Sequence, residues 1–271
     1  MEPFRTIAVS DPRFEHDGLR AVTFKSPALG GRADMSVFVP QSLEGKTNVP
    51  LVMLLHGVYG SHWAWTHMGG AHRTAARLIG QGAIPPMVLA MPSDGLWGDG
   101  SGYIQHGKNP QRNFEQYIVQ EVPMAAAAIV GAVGPASPSF IAGLSMGGFG
   151  ALRLGAKYPH KFRGFAGHSS ITHFSQMEQF VEEPLDAYGP PEESEQSVLH
   201  WMLKNREHLP PLRFDCGTED PLLESNRALH AQLQEHKIPH TYAEYPGGHE
   251  WPYWEKHLET TLKFFAQCLP D

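Results

Sequence analysis

Cysteine is nearly absent from this chain: of 271 residues only Cys216 and Cys268 carry a thiol. Two thiols cannot build the disulfide framework of a small secreted scaffold, and with no Cys-x-x-Cys pair the common thiolate zinc sites are excluded as well. Both are read as reduced, as in a cytoplasmic protein. An excess of positive charge is missing too. Twenty-one Lys and Arg stand against 28 Asp and Glu, a formal net charge of −7, and the basic residues form no dense run. That balance argues against a nucleic-acid or anionic-membrane partner. No window approaches the ~20 apolar residues of a membrane span. The opening Met1-Glu2-Pro3-Phe4-Arg5 also lacks the basic flank and apolar core of an export leader. A phosphate-binding loop of the Walker type is absent, so neither nucleotide nor other cofactor is expected. What remains is a soluble, mildly acidic chain, 41% hydrophobic and long enough for one large core, with homo-oligomer formation left open.

Residues 21–28 and 34–39 alternate apolar and polar positions around Gly30-Gly31, which predicts an antiparallel pair at a sheet edge. The continuous apolar runs at 50–57, 86–91 and 139–144 predict strands buried on both faces. Further strands are expected at 162–167, 212–216 and 240–245. Helical periodicity covers 64–80, 114–133 with an interruption at Pro123, 146–158, 221–236 and 252–268. Strands separated by helices require right-handed crossovers and a mostly parallel sheet covered on both faces, with ligands at the carboxyl ends of its strands. The expectation is one α/β domain over 1–271, with a polar helical insertion at 172–210 made irregular by stretches such as Gly189-Pro190-Pro191.

The chemistry centres on Gly143-Leu144-Ser145-Met146-Gly147, a Gly-x-Ser-x-Gly turn between an apolar strand and a helix. Such a turn lifts a serine hydroxyl above the sheet edge, where an adjacent base can activate it. His249, in Gly247-Gly248-His249, follows the last strand directly and is the best base among 16 histidines. Asp220, just beyond the preceding strand, is the expected acid, ahead of Asp215, Glu219 and Glu244. An alternative role for it is to cap the helix that Pro221 begins. Oxyanion donors are expected from the backbone N–H of Met146, at a helix N-terminus, and of Val58 after the strand ending in His56-Gly57, with Tyr59 as the alternative to Val58. Tyr59, Trp97 and Trp251 are the candidate pocket residues, and Trp63, Trp65 and Trp254 could equally line a site or pack. His62, His67 and His72 recur at five-residue steps, about 140° apart on a helix, and share no face. Pro239 separates His236 from His240, so no metal is expected.

Four blocks occurring in order, Leu54-Leu55-His56-Gly57, Gly143 to Leu152, Cys216-Gly217-Thr218-Glu219-Asp220 and Gly247-Gly248-His249-Glu250-Trp251, resemble the putative-esterase branch of the α/β hydrolases. That branch includes esterase D (S-formylglutathione hydrolase), tributyrin esterases, feruloyl esterases and bacterial mycolyltransferases. Phe114 to Pro123 resembles its helix before the nucleophile strand, whereas 92–113, with Trp97, Tyr103 and His106, matches it poorly. The resemblance implies the α/β-hydrolase fold, Ser145 as nucleophile, Asp220 as acid, His249 as base, and Val58 and Met146 as oxyanion donors.

The expected activity is a cofactor-free serine carboxylesterase acting on small acyl esters through an acyl-enzyme. Rivals are an acyltransferase passing the acyl group to a sugar or alcohol, an S-formylglutathione-type thioesterase, and a carbohydrate-binding protein without turnover. The insertion scatters Glu178, Glu182, Glu183, Asp186, Glu192 and Glu193 among its apolar residues, unlike a lid that docks onto lipid, so short acyl chains are expected.

Overall fold

A computed structural model describes residues 4–43, 45–189 and 192–270. Met1 to Pro3 and the Pro190-Pro191 pair, both read from the sequence above, lie outside the described residues. Among the described residues nine strands form one sheet: β1 (Ile7–Val9), β2 (Leu19–Ser26), β3 (Gly31–Phe38), β4 (Leu51–Leu55), β5 (Val88–Pro92), β6 (Ser139–Leu144), β7 (Gly164–His168), β8 (Leu212–Gly217) and β9 (Thr241–Tyr245). Their spatial order is β1-β2-β3-β5-β4-β6-β7-β8-β9. Contacts from β1 through β3 to β5 are antiparallel and all later ones are parallel. The β2–β3 pair is therefore not the edge, because β1 lies outside it. Three partly exposed residues are too few for an alternating pattern to announce that strand.

The helices are α1 (Ala64–His67), α2 (Ala71–Gly80), α3 (Phe114–Gln116), α4 (Val122–Ile129), α5 (Met146–Lys157), α6 (Glu193–Gln196), α7 (Val198–Lys204), α8 (Leu223–Glu235) and α9 (Trp251–Gln267). The helix expected over 64–80 is broken, since Gly70 takes a left-handed φ of 55°. Pro123, in contrast, interrupts nothing. A π-helical turn at Tyr117–Glu121 joins α3 to α4, and Pro123 falls in the first turn of α4, where a missing N–H is tolerated. Within 172–210 the backbone forms short turns at Phe174–Gln179 and Leu185–Tyr188 before α6 and α7.

Alternation along the central strands feeds two cores. Leu51, Met53 and Leu55 point to the side of α4, α5 and α7, while Val52 and Leu54 join Ala75, Leu78, Leu258, Leu262 and Phe265 of α2 and α9. With both faces covered, the open positions lie at the strand ends. No helix among the described residues is long and apolar enough to cross a membrane, and both cysteines are free.

Candidate active site

Loops at the carboxyl ends of β6, β8 and β9 meet at one point. Ser145 joins β6 to α5 with φ 53° and ψ −119°, a backbone state that costs a non-glycine residue on the order of 1–3 kcal/mol. Surrounding bonds hold it there. Its N–H donates to the His168 carbonyl at 3.0 Å, and its own carbonyl accepts from the N–H of Phe149 at 3.0 Å and of Ile171 at 3.2 Å. The flanking glycines are dictated by contact: a Cβ on Gly143 would lie 2.1 Å from the Gly147 carbonyl oxygen, and one on Gly147 would lie 2.3 Å from that of Leu55.

His249 sits between β9 and α9. The N–H of Thr218 donates to the Tyr245 carbonyl (2.8 Å) and that of Glu219 to the Gly247 carbonyl (3.0 Å), which fastens the histidine loop to the loop carrying Asp220. The result is a continuous chain of hydrogen bonds: Ser145 Oγ lies 2.9 Å from His249 Nε2, and His249 Nδ1 lies 2.9 Å from Asp220 Oδ2. An ionised carboxylate only accepts, so Nδ1 carries the proton and Nε2 offers its lone pair to the serine hydroxyl. Burial pushes the Asp220 carboxyl up. Its hydrogen bonds with His249 and the Leu222 N–H outweigh that and hold it below the usual carboxylate range.

Asp220 thus serves two neighbours at once, since Oδ1 accepts the Leu222 N–H at 2.8 Å in the turn before α8 while Oδ2 faces the imidazole. The other acids weighed from the sequence are placed elsewhere. Glu219 is exposed, Glu244 pairs with Arg227 at 2.7 Å, and Asp215 belongs to a second, fully buried network. There Asp215 Oδ1 lies 3.0 Å from His168 Nδ1 and accepts from the Tyr253 hydroxyl at 2.9 Å, and Oδ2 lies 2.8 Å from Arg213.

Two aromatic rings hold the His249 imidazole. Phe180, from the insertion, stacks on it with centroids 5.2 Å apart and planes 22° apart, and Trp254 meets it edge-on at 5.0 Å. Phe180 is not among the residues that the sequence singles out, whereas Trp254 is one for which it leaves lining and packing equally open. Phe180 lies in an irregular stretch with no periodicity to mark it, while Trp254 stands one turn after Trp251 on α9.

The loop after β4 approaches the serine closely, since a Cβ on Gly57 would lie 3.3 Å from Ser145 Cβ. Tyr59 adopts a φ of 56°. Its N–H is occupied by the Asp99 carbonyl at 2.7 Å and its hydroxyl by the Asp99 carboxylate at 2.9 Å. The Val58 N–H has no protein acceptor among the described residues. Met146 opens α5, where an N–H has no intrahelical acceptor.

A cavity of about 530 Å³ opens over Ser145 and His249, lined by Val58, Tyr59, Trp63, Phe180, Glu250, Trp251 and Trp254 among others. Of the candidate pocket residues, Tyr59 and Trp251 are among its lining residues. Trp97 is not among them, and its ring packs 4.5 Å from both His106 and Tyr188 in an aromatic cluster. Trp65 is core, donating to the Leu55 carbonyl at 2.9 Å. Among the described residues no group of three His, Cys, Asp or Glu side chains is arranged to hold a metal ion.

Comparison with known proteins gives a consistent picture. The model of the family described as "Putative esterase" matches residues 26–265. An acetyl esterase of Caldicellulosiruptor saccharolyticus is 23% identical over 236 residues, which cover 81% of this chain and 84% of that protein. Among solved structures, a ferulic acid esterase superposes with a TM-score of 0.78 at 21% identity, covering 97% of this chain and 99% of the other. An S-formylglutathione hydrolase from Staphylococcus aureus does so with a TM-score of 0.76 at 19% identity, covering 96% and 99%. These structural likenesses speak to the fold, a mostly parallel sheet of the α/β-hydrolase type. Because the family match spans most of its length, the chain belongs to the Putative esterase family and is a serine ester hydrolase.

Proposed function

We propose that this protein is a carboxylesterase that cleaves small acyl esters through an acyl-enzyme on Ser145. The observation that carries this reading is the unbroken Ser145–His249–Asp220 hydrogen-bond chain opening into a cavity. His249 Nε2 takes the serine proton as Oγ attacks the ester carbonyl, and the oxyanion is received by the N–H groups of Val58 and Met146. When the tetrahedral adduct collapses, the bond to the alcohol oxygen breaks and His249 gives that oxygen its proton. Water then repeats the sequence on the acyl-serine: His249 takes its proton, hydroxide adds, the acid leaves, and Ser145 recovers its hydrogen. Asp220 keeps the imidazole in the required tautomer and favours the imidazolium formed at each step.

Occupation of the Tyr59 N–H by Asp99 favours Val58 over Tyr59 as the second donor. A cavity of about 530 Å³, walled in part by Phe180 of the insertion, suits a small-molecule ester, and the charges scattered through the insertion support short acyl chains. The test is covalent labelling. A fluorophosphonate should form one adduct, located on Ser145 by peptide mass spectrometry, and Ser145→Ala should lose both the adduct and ester hydrolysis while unfolding like the parent. An adduct on a different serine, with the variant still active, would end the assignment.

A further inference from the structure

The walls of the Ser145 cavity carry one sign of charge. Among the described residues no Lys or Arg lines it, and Glu250 is the one carboxylate that does. Beside Tyr59, which lines the cavity, stand more groups of the same sign. The Tyr59 hydroxyl donates to the Asp99 carboxylate at 2.9 Å, that carboxylate also accepts the Glu182 N–H at 2.6 Å, and the Glu183 carboxylate accepts the Asp99 N–H at 3.1 Å. Among the described residues none of Asp99, Glu182, Glu183 or Glu250 has a Lys or Arg ion-pair partner. The Tyr59 hydroxyl is pushed up to about 12 by its bond to Asp99, with burial and the charges of Asp99, Glu182 and Glu183 adding to it.

The remaining walls are aromatic: Tyr59, Trp63, Phe180, Trp251 and Trp254. Ring faces are the negative side of the aromatic quadrupole, and a ring-lined cavity with a carboxylate at its wall is the chemistry that recognises an organic ammonium ion. We infer that the substrate is the ester of an amino alcohol, with the cationic group of the leaving alcohol seated between the aromatic walls and Glu250. The inference rests on the esterase reading above. It places the cation on the alcohol rather than the acyl side because His249, which delivers a proton to the departing oxygen, is followed directly in the chain by Glu250. An anionic alcohol or thiol would meet the Glu250 carboxylate in the cavity wall, with no Lys or Arg among the described lining residues to balance it.

Matched acetates read this out: acetylcholine, its uncharged isostere 3,3-dimethylbutyl acetate, and the anionic 4-acetoxybutanoate, with p-nitrophenyl acetate and a monosaccharide acetate alongside. In low salt kcat/KM for acetylcholine should exceed that of the neutral isostere by about tenfold, with the anionic ester below both. High salt should shrink the ratio. Because the ratio is taken within one variant, it cancels any general change in activity, and Glu250→Gln should reduce it about threefold. Equal rates for the charged and neutral esters, a ratio untouched by Glu250→Gln, or faster turnover of the sugar acetate than of acetylcholine would each overturn the inference and leave the esterase reading standing. Failure to hydrolyse any ester, p-nitrophenyl acetate included, would remove both.

Discussion

Two His–Asp pairs sit on neighbouring strand ends of this sheet, with nearly the same geometry and opposite surroundings. His249 Nδ1 lies 2.9 Å from Asp220, and His168 Nδ1 lies 3.0 Å from Asp215. The first imidazole is partly open, with its other nitrogen 2.9 Å from a strained serine at the floor of a cavity. The second is closed. His168 and Asp215 are 0% exposed, His168 Nε2 meets the Thr261 hydroxyl at 3.0 Å, and Asp215 is shared with Arg213 and Tyr253. One arrangement leaves a lone pair free to move a proton. The other spends each contact on tying β7 and β8 to α9. A histidine beside an aspartate is thus not enough to mark a reactive site; what distinguishes the reactive pair is what the second nitrogen faces.

Breaking each pair in turn should separate the two roles. His249→Ala is expected to have the largest effect, lowering kcat for p-nitrophenyl acetate by roughly four to six orders of magnitude, as much as Ser145→Ala, because residues acting as a unit do not lose activity additively. Steady-state kinetics on the double variant checks this: a further loss beyond either single variant would show the two acting separately. Asp220→Asn should follow, costing up to ~10⁴-fold in kcat near neutral pH. Asn can still accept the Leu222 N–H, so thermal stability should change little, and normal turnover would reduce Asp220 to a turn residue.

Asp215→Asn should show the opposite profile. Removing one partner of a buried ion pair costs about 3–5 kcal/mol, visible as a lower urea midpoint, while kcat per folded molecule stays near that of the parent. Its pH signature has a definite sign. Burial pushes the Asp215 carboxyl up, but His168, Arg213 and the Tyr253 hydroxyl hold it down at about 2. A depressed native pKa contributes stability above the unfolded value, ~3.9, and loses it as pH falls. The stability gap between parent and variant should therefore narrow from about pH 4 toward 2. Phe180→Leu has the smallest expected effect, about a fivefold fall in kcat with KM little changed. The variant loses a ring stacked on an imidazole that becomes cationic in the transition state. An unchanged kcat would make Phe180 a cavity wall and nothing more.

Much of this arrangement is legible in the chain because the relevant constraints are local. Buried parallel strands read as continuous apolar runs, and Leu51–Leu55 and Ser139–Leu144 are such runs. The Gly-x-Ser-x-Gly turn is visible because Gly143 and Gly147 meet backbone oxygens at distances that admit no side chain. Order along the chain and position at strand ends led to His249 and Asp220, which the fold joins to Ser145 by hydrogen bonds. What escaped depends on contacts between distant segments. Nothing local in Phe180 announces that it will stack on a histidine 69 residues later. Trp97 looked like a pocket residue because large aromatics serve both purposes, and its choice was made by His106 and Tyr188. The break at Gly70 and the continuity through Pro123 are likewise tertiary outcomes, one by a left-handed glycine and the other by a wider helical turn.

The contacts of Asp99 also couple two segments of the site. Its carbonyl holds the Tyr59 N–H and its carboxylate holds both the Tyr59 hydroxyl and the Glu182 N–H, so the insertion and the loop carrying Val58 are fastened through one residue. Lifting the insertion to discharge a bulky alcohol would pull on that loop, which makes opening the chamber and disarming it a single mechanical event. Were release of a large alcohol to require that movement, opening and re-closing of this joint would limit turnover, and the rate would follow solvent viscosity.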